Sequence, residues 1–334
     1  MQAGVVDEVV AADELMAKAK VWVLSEPKIV KSWDEKGYKM PGGEPYHPAG
    51  FMTFVGASAM VNGKTQGVYP AAKALLSAVY EGAMVPFDTA LRIEARWFTN
   101  VLMNPSSEAM IRSLFINKEA LDKGANRPDV ADQTVKKVGV LGAGMMGQGI
   151  AYVSARAGMD VVLKDISQDA ADKGKAYSDK ILTKAISRGR MTEEKKADIL
   201  GRITATVDAK ALQGCDLIIE AVFESVDLKH NMTRELEPLL ADGGVWGSNT
   251  STLPITLLAE ASAKPENFIG VHFFSPVDKM PLVEIIVGNQ TSAETLAKAF
   301  DYALQIKKTP IVVNDSRGFF TSRVFGTFVD EGAM

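Results

Sequence analysis

A single cysteine, Cys215, is all that 334 residues contain. That excludes a disulfide within the chain and any metal site built from several thiolates, and it suits a reducing compartment. Histidine is almost as scarce. His47, His230 and His272 lie far apart without metal-ligand spacing, so no metal is expected. An excess of either charge is missing too: 37 Lys and Arg stand against 41 Asp and Glu, a net charge of −4, with no bulk attraction to nucleic acid. Apolar runs long enough to span a bilayer are absent, and the N-terminus carries Asp7 and Glu8 where a secretion signal has basic residues. The expectation is a soluble, cytoplasmic protein. What is present is an ordinary globular balance, 47% hydrophobic and 23% charged, over a length suited to two or three domains.

Residues 136–165 organise the rest. An apolar run at 138–141 reads as a buried parallel strand. It meets Gly142-Ala143-Gly144-Met145-Met146-Gly147, a G-x-G-x-x-G turn that opens an apolar helix ending at Gly158. A second strand, 160–163, closes at Asp165. Each glycine has a physical task. Gly142 permits the tight turn, Gly144 lets the backbone approach a pyrophosphate, and Gly147 lets helix and strand pack closely. The free N–H groups at the helix start face the phosphates. Asp165, eighteen residues after Gly147, offers a carboxylate to the ribose hydroxyls of an adenosine and repels a 2′-phosphate. The unit therefore predicts a Rossmann-like domain that prefers NAD to NADP; the adjacent Lys164 works slightly against that preference. Glycines serving helix packing alone are the plainer alternative.

Along the rest of the chain, residues 3–10 read as a short strand or turn, followed by a helix from an Asp13 cap to about Leu24. Residues 26–70, rich in Gly and Pro, read as an irregular connector with one short helix near 54–60. His47 reads as a loop residue. Three helices are expected over 72–82, 86–103 and 106–123, punctuated by Pro86 and Pro105. Residues 124–135 form a polar linker. After Asp165 come two helices around Gly189. Their basic side, Lys180, Lys184, Arg188 and Arg190, is either a solvated face or a contact for a phosphate-bearing substrate. Further strands end at Glu220 and Ser248, so the segments Val222-Phe223-Glu224 and Asn249-Thr250-Ser251 line the crevice at the strand ends. Lys229 lies one turn into the next helix.

The strands 268–274 and 282–287 are joined by seven residues, short enough for an antiparallel hairpin. If the hairpin is symmetric about Asp278, His272 lies opposite Glu284. A carboxylate facing an imidazole fixes its tautomer and stabilises its charged form, the arrangement a general base needs. A histidine in an apolar strand is by itself more often a satisfied core residue; a nicotinamide site beside it reverses that reading.

Taken together, Gly142 to Gly147, Asp165, Ser248-Asn249-Thr250-Ser251, His272-Phe273-Phe274-Ser275-Pro276 and Pro281-Leu282-Val283-Glu284 resemble L-3-hydroxyacyl-CoA dehydrogenase over about residues 136–325. The part before is similar to the stretch that precedes this domain in multifunctional fatty-acid oxidation proteins, with Gly4 to Val10 as the tail of a crotonase-like domain. The resemblance implies an α/β chain, a Rossmann-like dinucleotide-binding domain on a mostly parallel sheet preceded by a smaller, mainly helical region. Its parts are a crotonase-like tail at 1–25, the connector at 26–70, linker helices at 71–123, a linker at 124–135, the NAD-binding domain at 136–320 and the start of a helical domain at 321–334. It implies oxidation of L-3-hydroxyacyl-CoA with NAD in β-oxidation. His272 takes the proton of the 3-hydroxyl, Glu284 orients it, Ser251 bonds the reacting oxygen and Asn249 supports it. Gly142, Gly144, Met146, Gly147, Asp165, Val222, Phe223, Glu224, Lys229, Ser251 and Ser275 line the NAD site. Ser275 stands where the family often has Asn, and Ser322 where simpler members have a substrate-contacting Asn. The parent protein would also carry enoyl-CoA hydratase activity and associate with a thiolase subunit.

The crotonase body and most of the helical domain are not encoded, which reads as a fragment of a longer protein. The residues Phe319, Phe320, Val324, Phe325 and Phe328 are then expected to be exposed and to seek a partner such as a second copy of the chain. Three readings stand: a dehydrogenase of acyl-CoA, an NAD-binding module with little turnover, and a dehydrogenase of short free 3-hydroxy acids.

Overall fold

The computed structural model describes residues 6, 8–25 and 30–334. They fall into two compact units, Met1–Arg112 and Ser113–Met334. The first is helical: α1 (Leu15–Leu24), α2 (Pro48–Thr65), α3 (Pro70–Gly82), α4 (Phe87–Leu102) and α5 (Pro105–Ile111). Proline opens α2, α3 and α5, where its missing N–H costs nothing. The connector is less irregular than its composition suggests, since α2 runs for 18 residues. Its glycines mislead: a Cβ at Gly56 or Gly63 would meet nothing within 4 Å, so neither marks a break. His47 is the N-cap of α2, its Nδ1 accepting the Ala49 N–H at 3.3 Å, which makes it a structural residue. Glu14 rather than Asp13 precedes α1, with no side-chain cap. Of the proposed crotonase tail, residues 6 and 8–10 carry no regular structure and the others before 8 lie outside the described residues.

A π-helical turn of Arg112–Asn117, which crosses from the first unit into the second, and α6 (Lys118–Asp122) interrupt the single helix expected over 106–123. Arg127 then fastens the linker. Its guanidinium pairs with Asp301 at 2.6 Å and donates to the carbonyls of Pro128 and Val130. The sheet alternates with helices: β1 (Lys137–Leu141), α7 (Met145–Arg156), β2 (Asp160–Lys164), α8 (Gln168–Ser187), α9 (Glu193–Gly201), β3 (Ile203–Thr206), β4 (Cys215–Glu220), α10 (Val226–Leu236), β5 (Leu240–Ser248), α11 (Ile255–Ala259), β6 (Phe268–Phe273), β7 (Leu282–Val287), α12 (Ala293–Gln305), β8 (Thr309–Asn314) and α13 (Thr321–Ala333). α12 and β8 extend the fold beyond the hairpin read from the sequence.

The strand order is β3-β2-β1-β4-β5-β6-β7-β8. The first six strands are parallel, β7 runs antiparallel to β6, and β8 runs parallel to β7. Period-two alternation divides each strand between two cores. Val138, Val140, Leu217, Ile219 and Val271 join α7 and α12 on one face. Leu141, Ile218, Trp246 and Phe268 join α10 and α11 on the other. Crossover helices on both faces explain why the strands read as continuous apolar runs. The order of the first six strands reverses at β1 and β4, and that reversal opens a crevice at their carboxyl ends.

Candidate active site

The glycine turn forms one wall of the crevice. Gly142 has φ +93°, a left-handed conformation. A Cβ on Gly147 would lie 1.7 Å from the Gly142 carbonyl oxygen, so α7 starts against the turn only because that atom is missing. A Cβ on Gly144 would meet nothing within 4 Å, so the backbone there is open to a close-fitting ligand. Asp165, at the end of β2, accepts the Ala143 N–H on one oxygen and its neighbour Ile166 N–H on the other, both at 2.6 Å. A carboxylate offers about four lone-pair sites, so acceptor capacity remains for two hydroxyls. A glycine cradle at a helix start, with an acid beside it, fits an adenosine diphosphate. Met146 turns inward against the core, Val222 packs under Gly142, and Phe223 stands 86% exposed at the end of β4.

A buried polar network forms the floor. Glu220 ends β4 and receives the Lys229 ammonium at 2.6 Å, the Ser248 hydroxyl at 2.8 Å and the Val222 N–H at 3.0 Å. Lys229 is 2% exposed, and its second acid, Glu224, lies at 3.3 Å. It therefore acts on the crevice through Glu224. The Glu224 carboxylate accepts the N–H and hydroxyl of Ser251 at 2.7 and 3.0 Å and the Thr250 hydroxyl at 3.1 Å. Burial works to raise its pKa, and the bonds from Ser251 and Lys229 outweigh that, so it stays below the ordinary carboxylate value. Asn249 accepts the Phe273 N–H at 2.9 Å, which ties the Ser251 turn to the end of β6 beside His272.

The hairpin register is His272 opposite Glu284. His272 Nδ1 lies 2.7 Å from Glu284 Oε2, and the pair is 7% and 0% exposed. The carboxylate forces the Nδ1–H tautomer and leaves Nε2 with a lone pair for a proton. Phe274 and Phe319 stand beside the imidazole, with ring centroids at 4.6 and 6.1 Å. Glu284 also accepts the N–H groups of Phe320 and Thr321 and the Thr321 hydroxyl. Burial favours its neutral form, but the bonds from His272 and Thr321 prevail and hold its pKa below the ordinary carboxylate value. Phe319 is 2% exposed, so it belongs to the core and not to the exposed set expected at this end. Phe320, Val324, Phe325 and Phe328 are exposed as expected, while Ser322 is half-buried in the first turn of α13.

Ser275 is exposed at the head of the β6–β7 loop. Two side chains that sequence reasoning missed hold that loop. Buried Lys308 donates to the carbonyls of Val277 and Met280 at 2.6 and 2.5 Å, and burial lowers its pKa. Tyr177 donates to Asp278 at 2.8 Å; burial and that acid push its pKa to about 12. No local pattern announces either residue, because each reaches a partner at least 28 positions away.

Residues 137–316 match the 3-hydroxyacyl-CoA dehydrogenase NAD binding domain. The fatty acid oxidation complex subunit alpha of Shewanella loihica is 40% identical over 281 residues, 84% of this chain and 40% of that protein. The subunit of the same name from Idiomarina loihiensis is 38% identical over 342 residues, 99% of this chain and 47% of that one. The chain thus spans less than half the length of these curated relatives. Among solved structures, (S)-3-hydroxybutyryl-CoA dehydrogenase from Ralstonia eutropha is 38% identical with a TM-score of 0.58, covering 59% of this chain and 70% of its own. The Escherichia coli 3-hydroxybutyryl-CoA dehydrogenase is 33% identical with a TM-score of 0.58, covering 59% and 42%. Through the NAD-binding domain at its centre, the chain belongs to the 3-hydroxyacyl-CoA dehydrogenase family.

Proposed function

We propose that this chain takes part in oxidising the 3-hydroxyl of L-3-hydroxyacyl-CoA to the 3-oxo ester in fatty-acid β-oxidation. The observation that carries the reading is the buried His272–Glu284 pair at 2.7 Å, at the strand ends that also hold the glycine cradle. NAD, when bound, supplies the hydride acceptor. His272 Nε2 takes the hydroxyl proton while Glu284 holds the opposite nitrogen and balances the imidazolium charge. Ser251 is assigned to the reacting oxygen, to which its hydroxyl would have to turn from Glu224, with Asn249 fixing its turn. Gly142, Gly144, Gly147 and Asp165 seat the dinucleotide. Met146, Val222, Phe223, Glu224, Lys229 and Ser275 complete or brace its site.

A second cavity, of about 420 Å³ and lined by neither the His272–Glu284 pair nor the glycine cradle, is bounded by the β6–β7 loop, the end of α7 and the α8–α9 turn. Arg156, Arg190, Lys195, Lys279 and Lys307 line it, above buried Lys308. These cations, with Asp278 among them, would suit phosphate groups such as those of a CoA ester; the acyl-CoA class itself rests on the family match. Hydratase activity, a thiolase partner and self-association belong to this reading of the longer relatives.

The test follows NADH production from 3-hydroxybutyryl-CoA by the 334-residue chain and its His272→Ala variant. Loss of a general base typically lowers the rate by about 10²–10⁴. Equal rates for the two would overturn the assignment of His272. NADH binding without measurable turnover by the unaltered chain would favour the binding-module reading instead.

A further inference from the structure

The donors around Glu284 point to a residue that neither the hairpin nor the glycine motif announces. The carboxylate is completely buried, and its donors come from two places. One is His272, on the paired strand. The other is the first turn of α13. The N–H groups of Phe320 and Thr321 reach Oε1 at 3.1 and 2.8 Å, and the Thr321 hydroxyl reaches Oε2 at 2.8 Å. Oε2 thus carries the imidazole and the hydroxyl together, one on each lone pair.

A carboxylate held only at Oε1 still turns about its Cγ–Cδ bond. On Oε2 the imidazole is one hold, and the Thr321 hydroxyl adds a second that does not depend on the position of His272. The chain is bent to present these groups: Gly318 and Phe319 have φ +75° and +49°. Phe319 has a Cβ, for which a left-handed conformation is strained. It is held there by burial of its ring. The two left-handed residues turn the backbone so that the next two N–H groups face Glu284.

We infer that Thr321 is a positioning residue of the pair: its hydroxyl locks Glu284 Oε2 in the orientation that receives His272 Nδ1–H. This rests on the proposed role of His272 and adds to it. Valine has the same shape as threonine and lacks only the donor, whereas serine keeps the donor and loses a methyl group.

The experiment records the downfield proton resonance of the His272–Glu284 hydrogen bond in the unaltered chain and in Thr321→Val and Thr321→Ser. His272→Gln, which abolishes the signal, assigns it. The expected result is one resonance shared by the unaltered chain and Thr321→Ser, shifted or broadened in Thr321→Val. In turnover with 3-hydroxybutyryl-CoA, Thr321→Val should lower kcat about tenfold, the range for losing one hydrogen bond to a charged group. KM for NAD should be unchanged, and Thr321→Ser should recover most of the rate. A Thr321→Val chain with unaltered resonance overturns the inference. If the unaltered chain does not turn over, the functional reading fails, and the resonance still decides the role of Thr321.

Discussion

At the scale of single residues, Asp165 is expected to separate the two nicotinamide dinucleotides. Its oxygens already accept two backbone N–H groups, so the charge is fixed in place and a 2′-phosphate would approach it directly. NADH is expected to bind more tightly than NADPH, and Asp165→Ala to narrow the difference; fluorescence titration of the nicotinamide measures both. Glu284 gives a pH prediction. Its folded pKa is held below its unfolded value, so it contributes stability that is fully present above the unfolded pKa and is lost as pH falls through the lowered one. Urea midpoints measured at falling pH should drop more steeply for the unaltered chain than for Glu284→Gln. Lys229 shows what burial costs. Replacing it with Met leaves Glu220, 1% exposed, without its counter-charge. Breaking a buried pair from one side typically costs about 3–5 kcal/mol, which urea denaturation would detect.

At the scale of elements, the start of α7 separates packing from binding. Gly144→Ala places its methyl in open space, and φ there is −68°, so the fold should keep its stability. The methyl enters the space a pyrophosphate needs, so NADH affinity should fall. Gly147→Ala drives its methyl into a backbone oxygen, a clash that only a shift of α7 relieves. Overpacking of this kind costs roughly 1–3 kcal/mol. Calorimetry with and without NADH distinguishes the two variants; equal loss of stability in both would contradict the division of labour. The strand–turn–helix–strand unit was legible because its parts are contiguous and each glycine has a steric reason. α2 was hidden because Gly and Pro usually mark breaks, and here the proline only starts a helix, Gly50 packs against the Glu44 carbonyl, and Gly56 and Gly63 lie on an open face.

At the scale of the whole molecule, a chain of net charge −4 gathers five exposed cations around one cavity. Attraction between exposed charges weakens as salt shortens the screening length. KM for 3-hydroxybutyryl-CoA should therefore rise with ionic strength. It should rise further in an Arg190→Glu, Lys279→Glu double variant whose kcat is kept. A salt-independent KM would remove the cavity from the substrate path. No described helix is long and apolar enough to cross a membrane.

The sequence by itself determined the parts whose physics is local. These are the glycine turn, the acid at the end of the second strand, and the hairpin whose seven-residue loop sets His272 opposite Glu284. Short loops and period-two strands leave few registers, so a pattern read along the chain becomes a position in space. Only the tertiary structure decided what holds those groups. Thr321 reaches Glu284 from 37 positions away, Ser251 reaches Glu224 from 27, and Lys308 reaches Val277 from 31. Hydrogen bonds over such separations follow from how helices and strands are packed, and no motif spacing encodes them.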